Sequence, residues 1–223
     1  TKLHGCAPGP RTVSFEAPQF LRILGLSNKG NVETISWYPE PGTVTTPVVP
    51  VSEYSVQNGD IDAYEHDGVV VLPGVFTDWV EPLRAGLERN LVHSKDYAFP
   101  CESVPEGSVG RFFDSYCNWH RIPEYHDYLF NSCVASMAGQ FMRSMSAQFF
   151  HEHVFCKEPG TRQATPWHHD LPYYCVEGSQ TASIYVALDH IPEETAIRFI
   201  AGSHRWGQLY LPRSFIDGAD YKQ

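Results

Sequence analysis

The chain has 223 residues, of which 42% are hydrophobic and 19% are charged, and its formal net charge is −10. This composition is typical of a globular domain with a substantial core. An acidic protein repels polyanions, so nucleic acid is not expected as a partner, and no apolar run reaches the roughly 18 residues of a membrane helix. The six cysteines lack CxxC spacing, which predicts thiols in a reducing, cytoplasmic compartment.

Residues 1–58 are rich in proline, glycine and threonine, as in YPEPGTVTTPVVPV. Proline fixes φ and cannot donate to a β-ladder, so this segment is predicted to be an N-terminal extended arm. The turn signal QNGD ends it. Residues 59–223 are predicted to form a second unit that carries the function.

The segment after the arm predicts alternating short elements. IDAYEHDGVVVLPGVF indicates a helical turn and then a strand at 69–72, stopped by Pro73 and Gly74. A helix is predicted next, with Thr77 as its N-cap and apolar residues at helical spacing. Those apolar residues are Val80, Leu83, Leu87 and Leu91. Residues 124–145 predict one or two further helices.

The pattern then changes from helices to strands. QFFHEHVFC, TASIYVALD and AIRFIAG are short, aromatic or β-branched, and separated by proline and glycine. Helices followed by strands indicate an α+β domain, mainly β, with helices packed on a sheet or barrel. The hydrophobic strands are too few to close a barrel within this chain.

The stretch TPWHHDLPYY, residues 165–174, contains the strongest candidate site. On an extended strand His168 and Asp170 would share a face, so both could bind one metal ion from one side. An imidazole and a carboxylate are two thirds of the facial triad of non-heme Fe(II) oxygenases. The tripeptide alone is a weak signal, and by itself it favours a solvated loop histidine beside a turn-forming aspartate.

A longer ordered match surrounds this pair. TPWHHDLPYYCVEG followed by SIYVALDHIPEETAIRFIAGSHRWG resembles the phytanoyl-CoA dioxygenase family of Fe(II)- and 2-oxoglutarate-dependent oxygenases. DGVVVLPGVF and GRFFDSYCNW upstream extend the resemblance to residues 61–207. The resemblance implies a double-stranded β-helix, which is a jelly-roll, cupin-like barrel braced by helices.

The resemblance also implies roles for individual residues. His168 and Asp170 match the iron ligands, which makes them the expected catalytic and metal-binding pair. His153, Tyr185 and Arg111 match positions near 2-oxoglutarate. Core packing remains an alternative for Tyr185, and an ion pair with Asp114 remains one for Arg111.

Several other polar and aromatic residues lie near this set in the sequence. His169 is expected to pack or face solvent. His151 and His153 in HEH could themselves be metal ligands, although a strand face lining the cavity is the favoured interpretation. Trp167, Tyr173 and Tyr174 are candidates for the cavity wall, with ordinary packing as the alternative.

The expected activity is that of a dioxygenase that uses O2 to hydroxylate a small molecule and converts 2-oxoglutarate to succinate and CO2. Relatives that halogenate lack the carboxylate, so Asp170 favours hydroxylation. One alternative is a non-catalytic cupin-like binding protein. Another is a zinc-binding cupin that uses His168, Asp170 and His204.

The end of the sequence departs from the family pattern. The resemblance implies a third histidine ligand and a carboxylate-gripping arginine on a late strand, and no histidine follows Arg213. Both residues are therefore expected beyond Gln223. Residues 1–223 are accordingly expected to form an open sheet that lacks its C-terminal strands.

Overall fold

The protein is described by a computed structural model. The structure describes residues 54–96 (Ser94 by its backbone), 107, 109–161 and 164–210, together with the backbone of 12–14, 20–26, 48–50 and 100–103. The resulting architecture mixes helices and strands. Cys6 and the segment 211–223 lie outside the described residues.

The four α-helices of the described residues contribute a large part of the apolar core. They are α1 (Asn58–Asp67), α2 (Val80–Val92), α3 (Pro123–Asn131) and α4 (Val134–Phe141). Leu83 of α2 and Tyr128 of α3 are fully buried in one cluster with Val154 of the sheet. The prediction of one or two helices at 124–145 is confirmed, because the chain turns between α3 and α4.

The strands form one large sheet and one small pair. They are β1 (Thr12–Ser14), β2 (Phe20–Leu26), β3 (Val48–Pro50), β4 (Pro100–Ser103), β5 (Phe112–Tyr116), β6 (Ser146–Lys157), β7 (Thr181–Ala187) and β8 (Arg198–Ile200). The six-stranded sheet has the order β4-β5-β6-β2-β7, with β3 also paired to β6, and β1 pairs with β8. The described pairings are all antiparallel.

The described sheet is open, because β4 and β7 end it and do not pair with each other. The jelly-roll barrel predicted from the resemblance is therefore not confirmed. The β2 strand comes from the predicted arm and lies between β6 and β7, where it pairs with both. The boundary between arm and domain at residue 58 stays a prediction.

Strands β5 and β6 each separate a buried face from a cleft face. Phe113 of β5 and Val154 of β6 lie in the interior. Their neighbours Asp114 and His153 line a cleft on the other face. Successive side chains of a strand point to opposite faces of the sheet. One face of β5 and β6 therefore packs in the core, while the other forms a wall of the candidate site.

Two local predictions were wrong. Residues 69–72 form no strand, because α1 ends at Gly68, whose φ of 81° turns the chain. Val70 and Leu72 instead pack against the buried cluster that contains Ile61 and Phe141. Thr77 does not cap α2, since its hydroxyl donates to the Gly74 carbonyl at 3.0 Å and a 3-10 turn intervenes.

None of the helices in the described part of the chain combines the length and apolarity needed to cross a bilayer. Cys133 and Cys175 are free thiols. Burial raises the pKa of the Cys133 thiol, which disfavours its reactive thiolate form.

Leu83→Ala should lower the free energy of unfolding by between about 2 and 5 kcal/mol, because it removes a fully buried side chain and leaves a cavity. The measurement is chemical denaturation followed by circular dichroism. Val92→Ala on the same helix, 75% exposed, is the control and should change stability by less than about 0.5 kcal/mol. Equal effects of the two substitutions would contradict the described packing of α2.

Candidate active site

A cleft of about 1670 Å³ lies against the exposed face of β5, β6 and β7. The strands contribute Asp114, His153 and Tyr185 to its lining, and the loop before the 3-10 turn Leu171–Tyr173 contributes His168 and Asp170. Every predicted site residue except Arg111 therefore borders one cavity. A concave site with a few convergent polar groups is the usual form of a small-molecule site.

His168 and Asp170 lie in a loop and not on the strand that the sequence predicted. Their side chains nevertheless meet, with Nε2 of His168 3.1 Å from Oδ1 of Asp170. Asp170 has helical backbone angles (φ −73°, ψ −42°) at the start of the 3-10 turn. Both side chains are only partly exposed, at 24% and 34%.

The orientation of the His168 ring matches that of a metal ligand. Nδ1 lies 2.8 Å from the Pro166 carbonyl, so this nitrogen carries a hydrogen and donates it. A ligating histidine usually donates its other ring N–H in this way. Nε2 then faces a carboxylate, and that approach is favourable only with a second proton on the ring or a cation shared by the two groups.

The 3.1 Å separation also fits a shared ion. Two ligands about 2.1 Å from one metal and at right angles to each other are about 3.0 Å apart. The donor set of one imidazole and one carboxylate suits a divalent first-row metal. His168 and Asp170 therefore fit two adjacent positions of an Fe(II) ion.

Within the described residues, no group of three or more histidine, cysteine or acidic side chains is arranged to hold a metal. His204 in particular does not join the pair, because its Nε2 bonds the Glu65 carbonyl at 3.0 Å. Its ring also packs against Gly68 at the end of α1. The proposed zinc set of His168, Asp170 and His204 was therefore wrong for this fold.

His153 belongs to a polar cluster on the sheet wall. Its Nε2 pairs with Oδ1 of Asp114, and the two side chains are only 11% and 14% exposed. Tyr116 donates its hydroxyl hydrogen to Oδ2 of Asp114 at 3.2 Å and stacks its ring on His153 at 4.0 Å. The imidazole is thereby held in one orientation at the cleft wall.

Tyr185 and Arg111 have different surroundings. Tyr185 of β7 lines the cleft and packs edge-on against Phe199, with 6.4 Å between the ring centroids. Arg111 forms an ion pair with Glu158, with Nε 2.5 Å from Oε1, in place of the Asp114 pairing considered from the sequence. Arg111 is also absent from the cleft lining.

The remaining aromatic candidates divide between wall and packing. Trp167, next to His168, lines the cleft and is 63% exposed. Tyr174 packs edge-on against His151, at 5.5 Å between ring centroids. His169 also borders the cleft, and its ring packs against Trp206 and Tyr210, as the packing interpretation predicted.

Sequence reasoning missed Lys157 and the role of Asp114. On β6 the residues His153, Phe155 and Lys157 alternate along the cleft face, and on β5 Phe112 and Asp114 do the same. The period of two was present in the sequence and could have marked Lys157. The pairing of Asp114 with His153 depends on the register between two distant strands, which no local pattern encodes.

Glu152 supports the wall from the core side of β6. It is 1% exposed, its Oε1 accepts the Asn118 backbone N–H, and its own carbonyl accepts the N–H of Cys117 at 3.2 Å. Cys117 has a φ of 59°, in the left-handed region that residues other than glycine rarely adopt. Glu152 therefore fixes the strained turn that follows Tyr116. Burial raises the pKa of Glu152 to about 8.

A family model for phytanoyl-CoA dioxygenase (PhyH) matches residues 64–223, which is more than half of the chain. The chain belongs to the phytanoyl-CoA dioxygenase family. No curated protein and no solved structure was found to match it. The PhyH family consists of Fe(II)- and 2-oxoglutarate-dependent oxygenases with cupin-like folds. The matched region contains the loop of His168 and Asp170 and the strands behind it.

The raised pKa of Glu152 implies that the free energy of unfolding of this PhyH protein depends on pH. The folded protein keeps the carboxyl protonated up to about pH 8, whereas the unfolded chain releases the proton near its ordinary pKa of 4.5. Unfolding is therefore favoured increasingly between these two pH values, and stability falls as pH rises. Glu152→Gln removes this titration and keeps an oxygen acceptor for the Asn118 N–H.

The expected result is that Glu152→Gln gains stability relative to the unmodified protein as pH rises from about 5 to about 8, by a few kcal/mol. Urea denaturation at several pH values measures the difference. Glu88→Gln, at an exposed position of α2, is the matched control and should show no such trend. A pH-independent difference for Glu152→Gln would mean that the buried carboxyl is not protonated.

Proposed function

We propose that this protein is a dioxygenase that binds Fe(II) through His168 and Asp170 and hydroxylates a small-molecule substrate. The observation that carries the proposal is the geometry of that pair, with a ring nitrogen and a carboxylate oxygen 3.1 Å apart at the edge of the cleft. Membership of the PhyH family supports the same metal and cosubstrate. The family also supports O2 and a small molecule as partners.

Bound Fe(II) with 2-oxoglutarate supplies O2 activation, and the overall reaction oxidises a substrate C–H bond while 2-oxoglutarate becomes succinate and CO2. The protein supplies placement. The Pro166 carbonyl holds the Nδ1 hydrogen of His168, so that Nε2 presents its lone pair. Asp170 adds negative charge beside it, which strengthens binding of a cation.

The sheet wall is proposed to receive the cosubstrate. His153 and Tyr185 both line the cleft, on β6 and β7. Nε2 of His153 pairs with Oδ1 of Asp114, and this pairing fixes the orientation of the imidazole at the cleft wall where the cosubstrate is proposed to bind. Arg111 can contribute only by exchanging Glu158 for the cosubstrate.

Hydroxylation is proposed in preference to halogenation because of Asp170. A halide needs a metal position that no protein ligand fills, and in the proposed site the Asp170 carboxylate, 3.1 Å from Nε2 of His168, would fill one. A cytoplasmic location is proposed on the ground of the free thiols of Cys133 and Cys175. The acidic net charge supports a substrate without a polyanionic carrier.

His168→Ala should abolish stoichiometric iron binding, because it removes the nitrogen ligand. The measurement is metal content after anaerobic loading with Fe(II), combined with titration calorimetry. His93→Ala, at the exposed end of α2, is the control and should bind iron like the unmodified protein. Iron retained at full stoichiometry in His168→Ala would remove this residue from the ligand set.

Asp170→Gly should lose hydroxylation and 2-oxoglutarate turnover by at least about 100-fold, since the carboxylate holds one of the metal positions. Succinate formation under air is the readout, and it also separates an oxygenase from a non-catalytic binding protein. Adding chloride tests whether the vacated position accepts a halide. Unchanged succinate formation in Asp170→Gly would mean that Asp170 is not a ligand.

A further inference from the structure

The turn that follows β8 carries the sequence GSHRW, residues 202–206, which has no role in the proposed reaction so far. It is named the 202–206 turn. Gly202 has a φ of 78°, a left-handed conformation that glycine adopts without strain. A 3-10 helix, Ser203–Arg205, follows it, and its three residues line the cleft. The turn therefore forms part of the cleft wall.

One end of the 202–206 turn caps the C-terminal end of α1. The last carbonyls of an α-helix have no hydrogen-bond partner inside the helix. In α1 the carbonyls of residues 65–67 all accept hydrogen bonds from the turn. The bonds are Nε2 of His204 to Glu65 at 3.0 Å, Nη2 of Arg205 to His66 at 2.9 Å, and the backbone N–H of Gly202 to Asp67 at 2.8 Å. The turn is thereby tied to a helix that lies far from it in the sequence.

The end of α1 is a firm base for these contacts. Ile61 of α1 is buried, and Tyr64 packs against Phe141 of α4 with 5.0 Å between the ring centroids. Gly68, which ends α1, lies against the imidazole of His204, and a Cβ added there would overlap Nδ1 of that ring. The 202–206 turn is thus seated closely on a helix end that the core holds in place.

The other end of the 202–206 turn reaches the loop of the metal pair. The N–H of Trp206 donates to the Ser203 carbonyl at 3.2 Å, so the position of Trp206 follows the turn. The Trp206 ring packs against His169 with 6.0 Å between centroids, and Tyr210 packs against the same imidazole at 5.5 Å. Nδ1 of His169 is buried without a hydrogen-bond partner among the described residues. Ring packing, and not a hydrogen bond from this atom, therefore restrains the imidazole.

We infer that His204 and Trp206 are positioning residues for the metal site. His204 ties the 202–206 turn to α1, and Trp206 holds His169, which stands between the two proposed ligands in the chain. The inference rests on the proposed function, because it assumes that His168 and Asp170 bind the metal. A loop that is ordered before the ion arrives loses less conformational freedom on binding. Residues that orient metal ligands typically contribute about 10- to 100-fold to metal affinity.

The test uses Co(II) as the probe, because it takes the same nitrogen and oxygen ligands as Fe(II) and its visible absorption depends on coordination geometry. Calorimetry measures its affinity for the protein. Trp206→Ala should weaken Co(II) binding about 10-fold, since it releases the His169 ring. Trp206→Phe keeps a ring against His169 and should stay within about threefold of the unmodified protein. Trp206 is 48% exposed, so neither substitution empties a core.

Variants of His204 test the contact with α1. His204→Ala removes the donor to the Glu65 carbonyl and should weaken Co(II) binding about 10-fold and change the visible spectrum. His204→Gln retains a side-chain N–H donor and should restore most of the affinity and the original spectrum. His93→Ala, at the exposed C-terminal end of α2, is the matched control and should leave both unchanged. His204→Ala combined with Trp206→Ala should bind Co(II) about as weakly as the weaker single variant, because both residues act through one turn.

Each contrary result has a distinct meaning. Co(II) affinities of His204→Ala and Trp206→Ala within about threefold of the unmodified protein would overturn the inference. So would His204→Gln that binds as weakly as His204→Ala, because the hydrogen bond to α1 would then have no effect on the metal. Losses that multiply in the double variant would show that the two residues act separately, which also overturns it. Unmodified protein that binds no Co(II), or binds it equally well after His168→Ala, would overturn the proposed function itself and the inference with it.

Discussion

The antiparallel register between β5 and β6 is the constraint on which the candidate site depends. Phe112 pairs with Lys157 and Tyr116 pairs with His153, and these pairings decide which side chains share a face. A slip of one residue would bury Asp114 and His153 in the apolar core and expose Val154 to water. The burial of Phe113 and Val154 therefore fixes the register that puts Asp114 and His153 on the cleft face. The same pairing of β5 with β6 stabilises the fold and sets the geometry of the site.

Two imidazole–carboxylate pairs face the cleft, and they are supported in different ways. His153 and Asp114 lie on neighbouring strands, and the Tyr116 hydroxyl and ring restrain them further. His168 and Asp170 lie on a loop, where the Pro166 carbonyl fixes the imidazole. A loop carried by a rigid sheet can adjust to an arriving ion, while the wall keeps its shape. The Lys157–Thr165 hydrogen bond connects these two parts.

On the core side of β6, the buried carboxyl of Glu152 destabilises the fold but supports the site. Glu152 is fully buried, and its Oε2 finds no hydrogen-bond partner within the described residues. Its other oxygen holds the turn at Asn118, which follows the strained Cys117. A protonated carboxyl keeps this arrangement tolerable, because a neutral group costs less to bury than an anion. Burying Glu152 thus costs stability, and its hydrogen bonds fix the conformation of the turn that follows Tyr116.

Local patterns in the sequence indicated most of the helices and later strands, and they marked His168 and Asp170 as a candidate pair. The apolar spacing predicted α2 and the two helices after residue 124, the β-branched runs predicted β6, β7 and β8, and the motif around His168 and Asp170 indicated the family to which the chain belongs. Tertiary structure alone decided the partners: β2 between β6 and β7, Asp114 beside His153, and Glu158 beside Arg111. Periodicity is a property of neighbouring residues and can be read from the sequence. Strand order, register and ion-pair choice depend on residues tens of positions apart, whose meeting only the folded chain determines.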